Sequence, residues 1–401
     1  MTAELSTPYS EGMPSPSSPA PGTRPHNLAR ILRLVHEDGA QSRAALTETT
    51  GLNRSTIADL VGELIRLGLV DERIPETPGR VGRPSPVVAA SADVVAIAVN
   101  PEVDAVEIAA IGLDRSIRLR TRVLNDDLPT PEGLTALLAE TLREWSGGPL
   151  ARARITAIGI AVPGLVRASD GVVRNAPHLE WRDVPLADLV AEGCGIATVV
   201  DNDASLGAIA EHRYGAGAGI DDVVYLNGGA SGIGGGLIIG GVPVAGAGGY
   251  AGEFGQNRPR ITEDADRRTA DGVLESEVSR RLLLDAVGLD AADDDVLSAE
   301  LRTSGSIEVA AEVSRQSRVL ASALANAVNV LNPAVIVLGG FLATLGELRR
   351  EQITDDVAGL AMAESAEDLG IRSAALGADR LLIGAAELAF AGLVANPSER
   401  G

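Results

Sequence analysis

Cysteine is nearly absent from this 401-residue chain, which contains only Cys194. A single cysteine excludes an intramolecular disulfide and any zinc site built from several cysteines. It also fits a reducing compartment, so we expect a cytoplasmic protein. Lysine is absent, so the 34 basic residues are all arginines. Aromatic residues make up 2% and apolar residues 45%. The core must therefore be built from Ala, Val, Leu and Ile, and the length allows two or three domains.

Long apolar runs are also absent. No stretch of about 18 uninterrupted apolar residues occurs, so no membrane span and no membrane partner are expected. Residues 1–24 lack the basic start and the apolar core of a signal peptide. Their proline and serine content instead predicts a disordered tail.

Basic residues are outnumbered by acidic ones, 34 against 55, so the net charge of the chain is −21. Total charge therefore argues against nucleic-acid binding by the chain as a whole. Between Arg24 and Pro86, however, nine arginines accompany eight acidic residues, a net charge of +1, and the rest of the chain carries −22. This asymmetry indicates a nearly neutral N-terminal module on an acidic body.

The segment 25–90 has the pattern of a winged helix-turn-helix. Three short helices are expected within 27–67, and the first, over NLARILRLVHEDGA, has its apolar residues on one face. The second begins at a possible cap, Ser42, and ends at Gly51; the third begins at Asn53. The short turn between them is typical of a helix-turn-helix. The following LVDERIPETPGRVGRPSPVV predicts the two strands and turn of a wing.

The third helix and the wing carry side chains that suit DNA. The first turn of a recognition helix meets base edges in the major groove, and arginine beside glycine suits a narrow minor groove. Asp59 and Glu63 would weaken phosphate binding, so we expect a homodimer or tetramer on operator DNA. A plain three-helix packing module is the alternative. The predicted DNA-binding residues are Arg43, Asn53, Arg54, Ser55, Thr56, Arg80 and Arg83.

From about Val94, strand-like runs such as DVVAIAVN, AVEIAAIGL and ARITAIGIAVPG alternate with helical runs. This alternation predicts an α/β body of two lobes with a cleft between them. The first lobe is expected at 91–204, with a C-terminal helix at about 380–396 packing back onto it, and the second at 205–379. A long helix over 306–331 has apolar residues on more than one face. This pattern predicts a helix that is buried or faces another subunit.

Five stretches of the body resemble the ROK family of sugar kinases and sugar-responsive repressors. They are GIAVPGLV, PLADLVAEGCGIATVVDNDASLGAIAEHRYGAG, GASGIGGGLIIGGVPVAGAGGYAGEFGQ, GVLESEVS and LNPAVIVLGG, and they run in family order across about 93–395. With the winged module in front, the chain resembles the ROK repressors. The resemblance implies an actin-like, hexokinase-like fold that senses a sugar or sugar derivative in its cleft. For this chain we expect no cofactor.

The resemblance also implies a sugar site. Asn202 and Asp203 match the family's sugar-binding Asn-Asp pair, whose Asp is the catalytic base in the kinases. Glu253 matches the glutamate of the Gly-Glu-Ile-Gly-His loop, and Glu275 matches the glutamate after the cysteine motif. Gln256 replaces the loop's histidine, and its amide can still bond a sugar hydroxyl. Two alternatives stay open: Asp203 only caps the next helix, or Glu253 is only a polar loop residue.

Two departures from the family pattern argue against kinase and metal chemistry. The kinases begin the body with an Asp-x-Gly-Gly-Thr loop that cradles phosphate. Here VNPEVDAV stands in its place, and Pro101 lacks a backbone donor. The second glycine loop, 228–236, is kept, but a simple hairpin would explain it. With Gln256 in place of His and no cysteine in 257–275, the family's zinc ligands are missing.

These patterns predict a non-enzymatic, sequence-specific DNA-binding regulator, in its simplest form a repressor, that senses a sugar. One alternative is a regulator that has lost sugar binding and uses its body for oligomerisation or protein contacts. Another is a sugar kinase with a DNA-binding appendix. His178 and His212 are expected to be packing or surface residues. Trp181 either stacks on a sugar or belongs to the core.

Overall fold

The N-terminal module combines three helices with three short strands. The computed structural model describes residues 22–74 and 86–399 of the chain. The elements of the module are α1 (Arg24–Glu37), β1 (Gln41–Ser42), α2 (Arg43–Thr50), α3 (Arg54–Arg66), β2 (Val70–Arg73) and β3 (Val87–Ala90). The strands form an antiparallel sheet of order β1–β3–β2. The predicted helices and wing strands are confirmed, although α1 begins at Arg24, one residue inside the expected tail.

The helix ends of this module are set by the caps that the sequence predicts. Ser42 Oγ accepts a hydrogen bond from the Ala45 amide at 3.1 Å, and Asn53 Oδ1 accepts one from the Thr56 amide at 2.8 Å. Gly51 ends α2 with a φ of 72°, a left-handed conformation that glycine adopts without steric cost.

The first lobe is built on a five-stranded mixed sheet. Its elements are β4 (Val94–Pro101), β5 (Ala105–Gly112), β6 (Ile117–Leu124), α4 (Pro131–Ser146), β7 (Arg154–Val162), β8 (Leu165–Arg167), β9 (Val172–Ala176), β10 (Trp181–Val184), α5 (Leu186–Cys194) and β11 (Thr198–Asn202). The strand order is β11–β7–β4–β5–β6, and β10–β9–β8 form a separate small sheet. Strands β11, β7 and β4 run parallel, so their carboxyl ends, including Asn202, meet at one edge.

The second lobe repeats this plan with a second five-stranded sheet, of order β14–β13–β12–β15–β16. Its elements are α6 (Asp203–Tyr214), β12 (Val223–Gly229), β13 (Gly232–Ile239), β14 (Val242–Pro243), α7 (Leu274–Glu277), α8 (Arg280–Val287), α9 (Asp294–Thr303), α10 (Ile307–Leu331), β15 (Val335–Gly340), α11 (Phe341–Leu348), α12 (Arg350–Leu360), α13 (Ala363–Ala366) and β16 (Gly370–Ser373). The glycine run 228–236 forms the β12–β13 hairpin. The predicted α/β class with two lobes is confirmed.

A last helix, α14 (Arg380–Ala395), lies on the sheet of the first lobe and also contacts α6 and α1. One hydrophobic cluster joins Leu28 and Ile31 of α1 to Ala386 and Phe390 of α14. The winged module therefore shares a core with the body.

The long helix α10 owes its apolar residues on several faces to packing within the chain. It lies against α7, α8 and α12, and even Arg315 and Gln316 on it are buried. Ile307 and Val330, near its two ends, stay exposed. Packing within the chain therefore explains the apolar pattern of α10 without a subunit interface. In the ranges that the structure covers, no helix has both the length and the apolar composition for crossing a bilayer.

Candidate functional site

The start of α6 places Asn202 and Asp203 at the edge where the parallel strands of the first lobe end. Asn202 caps the helix, because its Oδ1 accepts a hydrogen bond from the Ser205 amide at 2.9 Å. Its Nδ2 donates to the Gly164 carbonyl at 3.0 Å and to Asp203 Oδ1 at 3.2 Å. The alternative that Asp203 serves only as the helix cap is therefore wrong. The Asp203 carboxyl instead lines a cavity.

Three polar side chains of the second lobe complete this cavity. Gln256 Nε2 donates to Glu275 Oε1 at 2.5 Å, and Glu275 Oε2 accepts from the Ile233 amide at 3.3 Å. Glu253 lies one turn before Gln256. The structure brings all five predicted site residues, Asn202, Asp203, Glu253, Gln256 and Glu275, around one cavity of about 70 Å³. We call this space the polar cavity.

Two carboxyls of the polar cavity hold their protons more tightly than usual. Burial raises the pKa of Asp203 to about 7; nearby Arg380 opposes this shift and Glu253 adds to it. Partial desolvation, and then the charge of Glu275, raises the pKa of Glu253. Near neutral pH the Asp203 carboxyl can therefore donate as well as accept hydrogen bonds. Such a mixture suits hydroxyl groups, which also do both.

Some neighbours of the polar cavity were not found from the sequence. His178, Asn227 and Ser231 line it. His178 is exposed, as expected for a surface residue, but nothing in its sequence context indicated a cavity. Trp181 is a core residue and does not stack at the site, because its side chain is buried and its Nε1 donates to the Pro129 carbonyl at 2.8 Å.

A larger cavity of about 570 Å³ adjoins the polar cavity, and Asn227 and Gly229 line both. It lies between the two lobes, and we call it the inter-lobe cavity. Its wall carries four arginines that are paired with carboxylates: Arg120 with Glu107, Arg122 with Asp104, Arg280 with Asp294, and Arg302 with Glu347. Arg380 donates to Tyr225 Oη, Asn227 Oδ1 and the Gly377 carbonyl. The charges on this wall thus largely satisfy one another.

The residues near Gln256 do not fit the zinc that the family resemblance implies. The Gln256 amide is bonded to Glu275, and 257–275 contains no cysteine. Within the described ranges, no group of three or more His, Cys, Asp or Glu is arranged to hold a metal ion. The loop is held instead by the Gln256–Glu275 hydrogen bond.

The side chains of the predicted DNA-binding residues differ in burial and in the intramolecular bonds that they form. Arg54 is exposed, and its side chain forms no hydrogen bond or ion pair with the part of the chain that the structure describes. Asn53 Oδ1 is used by the cap and also accepts from Ser55 Oγ at 2.7 Å. Arg43 Nε donates to Glu72 Oε1 of the wing at 2.7 Å. Thr56 is half-buried. The remaining two predicted residues, Arg80 and Arg83, lie outside the described residues.

The far end of α6 contacts the winged module through a group of polar side chains, which we call the His36 cluster: His36, Arg213, Tyr214 and Glu387. Tyr214 Oη donates to Glu387 Oε1 at 3.0 Å, and Arg213 also pairs with Glu387. His36 Nε2 lies 3.0 Å from Glu387 Oε1, and its Nδ1 lies 2.6 Å from the Leu113 carbonyl. Burial alone would lower the pKa of His36, but the hydrogen bond and charge of Glu387 outweigh it and raise the pKa.

Comparisons with known proteins agree with this architecture. A family model described as "ROK family" matches residues 96–391. A "Xylose repressor" of Caldicellulosiruptor bescii is 27% identical over 359 residues, which cover 82% of this chain and 86% of the relative.

Two solved structures share the fold. The crystal structure of a ROK family transcriptional regulator, a homologue of the E. coli MLC protein, has a TM-score of 0.74 and 22% identity and covers 93% of this chain and 97% of its own. A ROK family glucokinase from Streptomyces griseus, solved with glucose and AMPPNP, has a TM-score of 0.61 and 26% identity. It covers 73% of this chain and 98% of its own.

Proposed function

This chain belongs to the ROK family, and from that premise we propose that it is a DNA-binding transcriptional regulator that senses a sugar or sugar derivative. In its simplest form it is a repressor, released from DNA by the sugar. The observation that carries the proposal is the course of α6. This helix begins at the polar cavity with Asp203 and ends in the His36 cluster with Tyr214. At 12 residues it spans roughly 18 Å.

Sugar binding is supported by the chemistry of the polar cavity. The Asp203 carboxyl, the neighbouring Asn202 amide and the linked Gln256–Glu275 pair offer both donors and acceptors. Sugar hydroxyls require this mixture, because each donates one hydrogen bond and accepts others. Gln256 thus has a role without a metal: it fixes Glu275 and presents its amide to the ligand.

Transmission to the DNA-binding module is supported by the packing of α6. On one side, Gly234 and Gly236 of β13 lie directly against Ala204 and Ala208, with no room for a Cβ. On the other side, α6 packs against α14, which also touches α1. A sugar that closes the lobes would therefore shift α6 and α14 together. Allosteric coupling between two sites typically amounts to about 1–3 kcal/mol.

DNA recognition is supported by the winged module and by the name of the xylose-repressor relative. We propose that Arg54, at the exposed start of α3, reads bases in the major groove. The side chains of Asn53, Ser55 and Thr56 would help to position the first turn of α3 on the DNA sugar-phosphate backbone. Arg43 would leave Glu72 and pair with a DNA phosphate instead. The expected homodimer or tetramer would present two modules to operator half-sites about 34–36 Å apart.

Phosphoryl transfer to a sugar is the competing activity, because glucokinases share the fold. The end of β4 opposes it. Pro101 has no amide hydrogen to offer a phosphate, and Glu102 places a carboxyl on the wall of the inter-lobe cavity. We therefore propose a non-enzymatic sensor. ATP turnover that depends on an added sugar, and that is lost in Asp203→Asn, would overturn this part of the proposal.

A thermal-unfolding screen tests the sensor most simply. The wild type is heated with xylose, glucose, N-acetylglucosamine and related sugars, and the Asp203→Ala variant is run alongside. A ligand at 100 times its dissociation constant adds about 2.7 kcal/mol to the free energy of unfolding. We expect one sugar class to raise the melting temperature of the wild type and to leave the variant unchanged. No shift with any sugar would favour a body that serves only oligomerisation or protein contacts.

A further inference from the structure

Glu102 lies at the tip of the hairpin that joins β4 to β5, where its amide donates to the Ala105 carbonyl at 2.9 Å. Its side chain reaches across the cleft to the second lobe, and Ser231 Oγ donates to its Oε1 at 3.2 Å. Its Oε2 is buried and has no hydrogen-bond partner within the described part of the chain. A buried carboxyl oxygen without a partner is uncommon, because it costs free energy that a donor would recover.

The free oxygen of Glu102 lies where the two cavities meet. Glu102 lines the inter-lobe cavity, and its neighbours Ser231 and Gly229 line the polar cavity. A Cβ on Gly229 would lie only 3.0 Å from Glu102 Oε1, so the glycine leaves this approach open. A ligand held by Asp203 and extending toward the inter-lobe cavity would therefore pass this carboxyl.

We propose that Glu102 is a specificity-determining residue of the effector site, which accepts a hydrogen bond from an uncharged sugar and excludes sugar phosphates. This inference rests on the proposed sensor function. The sugar hydroxyl that points toward the inter-lobe cavity donates the hydrogen bond that Glu102 Oε2 otherwise lacks.

A phosphate at the same end of the ligand would meet two acidic groups instead of a cation. Burial, and then the charge of Asp203, raises the pKa of Glu102 to about 8, so this carboxyl is mainly protonated at neutral pH and carries its full charge only above pH 8. Arg380, the nearby cation, donates to Tyr225, Asn227 and Gly377 and would have to break those bonds. The other arginines on the wall are paired with carboxylates. Charge complementarity therefore favours the free sugar over its phosphate.

Matched pairs of ligands test this inference on the full chain. Dissociation constants are measured by calorimetry at pH 8.5, where the Glu102 carboxyl is mainly ionised. The ligand pairs are xylose and xylose 5-phosphate, glucose and glucose 6-phosphate, and N-acetylglucosamine and its 6-phosphate. The wild type should prefer the free sugar at least tenfold in the pair that it recognises. Glu102→Gln, which removes the charge and one acceptor at equal size, should weaken free-sugar binding and lower that preference about tenfold. Asp127→Asn, an exposed residue away from both cavities, is the control for net charge.

The outcomes separate this inference from the proposed function. Free-sugar binding with the same preference in Glu102→Gln as in the wild type would overturn the role of Glu102 and leave the sensor standing. A wild type that prefers the phosphate would overturn it as well. A wild type that binds neither member of any pair would overturn the sensor function and, with it, this inference. If Glu102→Gln does not fold, Glu102→Ser removes the same charge with a smaller side chain and gives the same readout.

Discussion

Asn202 and Asp203 are adjacent, yet their side chains have different tasks. The Asn202 side chain caps α6 and ties it to the Gly164 carbonyl. The Asp203 carboxyl lines the polar cavity, and burial raises its pKa to about 7. Asn202 therefore stabilises the fold, whereas the buried carboxyl of Asp203 lowers stability and lines the cavity. Substitutions at the two positions should have opposite effects on stability.

Asn202→Ala should lower the free energy of unfolding by about 1 kcal/mol or more, because the helix loses its cap. Asp203→Asn keeps the cap and removes a poorly solvated carboxyl, so stability should stay equal or rise. Sugar binding should nevertheless be lost in Asp203→Asn. Urea unfolding and calorimetry with the sugar check both results. Equal loss of stability in the two variants would contradict this division of tasks.

Glu102→Gln should stabilise the protein without any ligand, by about 1–3 kcal/mol, because it removes a buried carboxyl whose Oε2 has no partner and whose pKa is raised on folding. The pKa of Glu102 rises from an ordinary 4.5 to about 8 on folding. Folding therefore favours the protonated form, so stability in the wild type is lost as the pH rises from about 4.5 to 8. The advantage of the variant should grow across this window and level off above it. Parallel urea-unfolding profiles at pH 5.5, 7 and 8.5 would contradict this account.

The residues that the sequence revealed are those whose role depends on local pattern. Ser42 and Asn53 were found because a cap needs only its own helix. The five residues of the polar cavity were proposed through the family motifs, and the structure brings them together. The free oxygen of Glu102 and the position of His178 were not found, because each depends on residues far away in the chain.

Among the elements, α6 and α14 cross at a point that only glycine permits. A Cβ on Gly384 would overlap the Leu206 carbonyl of α6, whereas a Cβ on Gly392, later in α14, meets nothing within 4 Å. The crossing brings the helix from the polar cavity against the helix that touches the winged module. These two glycines offer a matched pair within one helix.

Gly384→Ala should destabilise the protein by about 1–3 kcal/mol, because the added methyl group forces the two helices apart. Gly392→Ala should be neutral or stabilising by up to about 1 kcal/mol, as alanine is the better helix former. Thermal unfolding of both variants checks the contrast. A similar change in both would show that the α6–α14 contact is not tight.

Secondary structure was predictable where one face of an element is buried. The helices of the winged module and the strands β4, β5 and β7 followed their apolar patterns. Strand β6 was missed, although Arg118, Arg120 and Arg122 alternate with less polar residues along it. The small sheet of β8, β9 and β10 was also missed, because strands of three to five residues carry too little periodic signal.

Over the whole molecule, the winged module is joined to the body by a shared core and by the His36 cluster. Leu28 and Ile31 pack with Ala386 and Phe390, and His36 contacts Glu387. A module docked in this way follows movements of α14, which a flexible tether would absorb. We propose that a sugar in the polar cavity changes DNA affinity through this connection.

The most direct test is DNA affinity with and without sugar. A duplex is first selected from a random library by the full-length protein, and its binding is followed by fluorescence anisotropy at fixed ionic strength. The sugar that stabilises the wild type should weaken DNA binding about tenfold, a coupling of about 1.4 kcal/mol, and should have no effect on Asp203→Asn. A sugar that stabilises the wild type and leaves its DNA affinity unchanged would contradict the account.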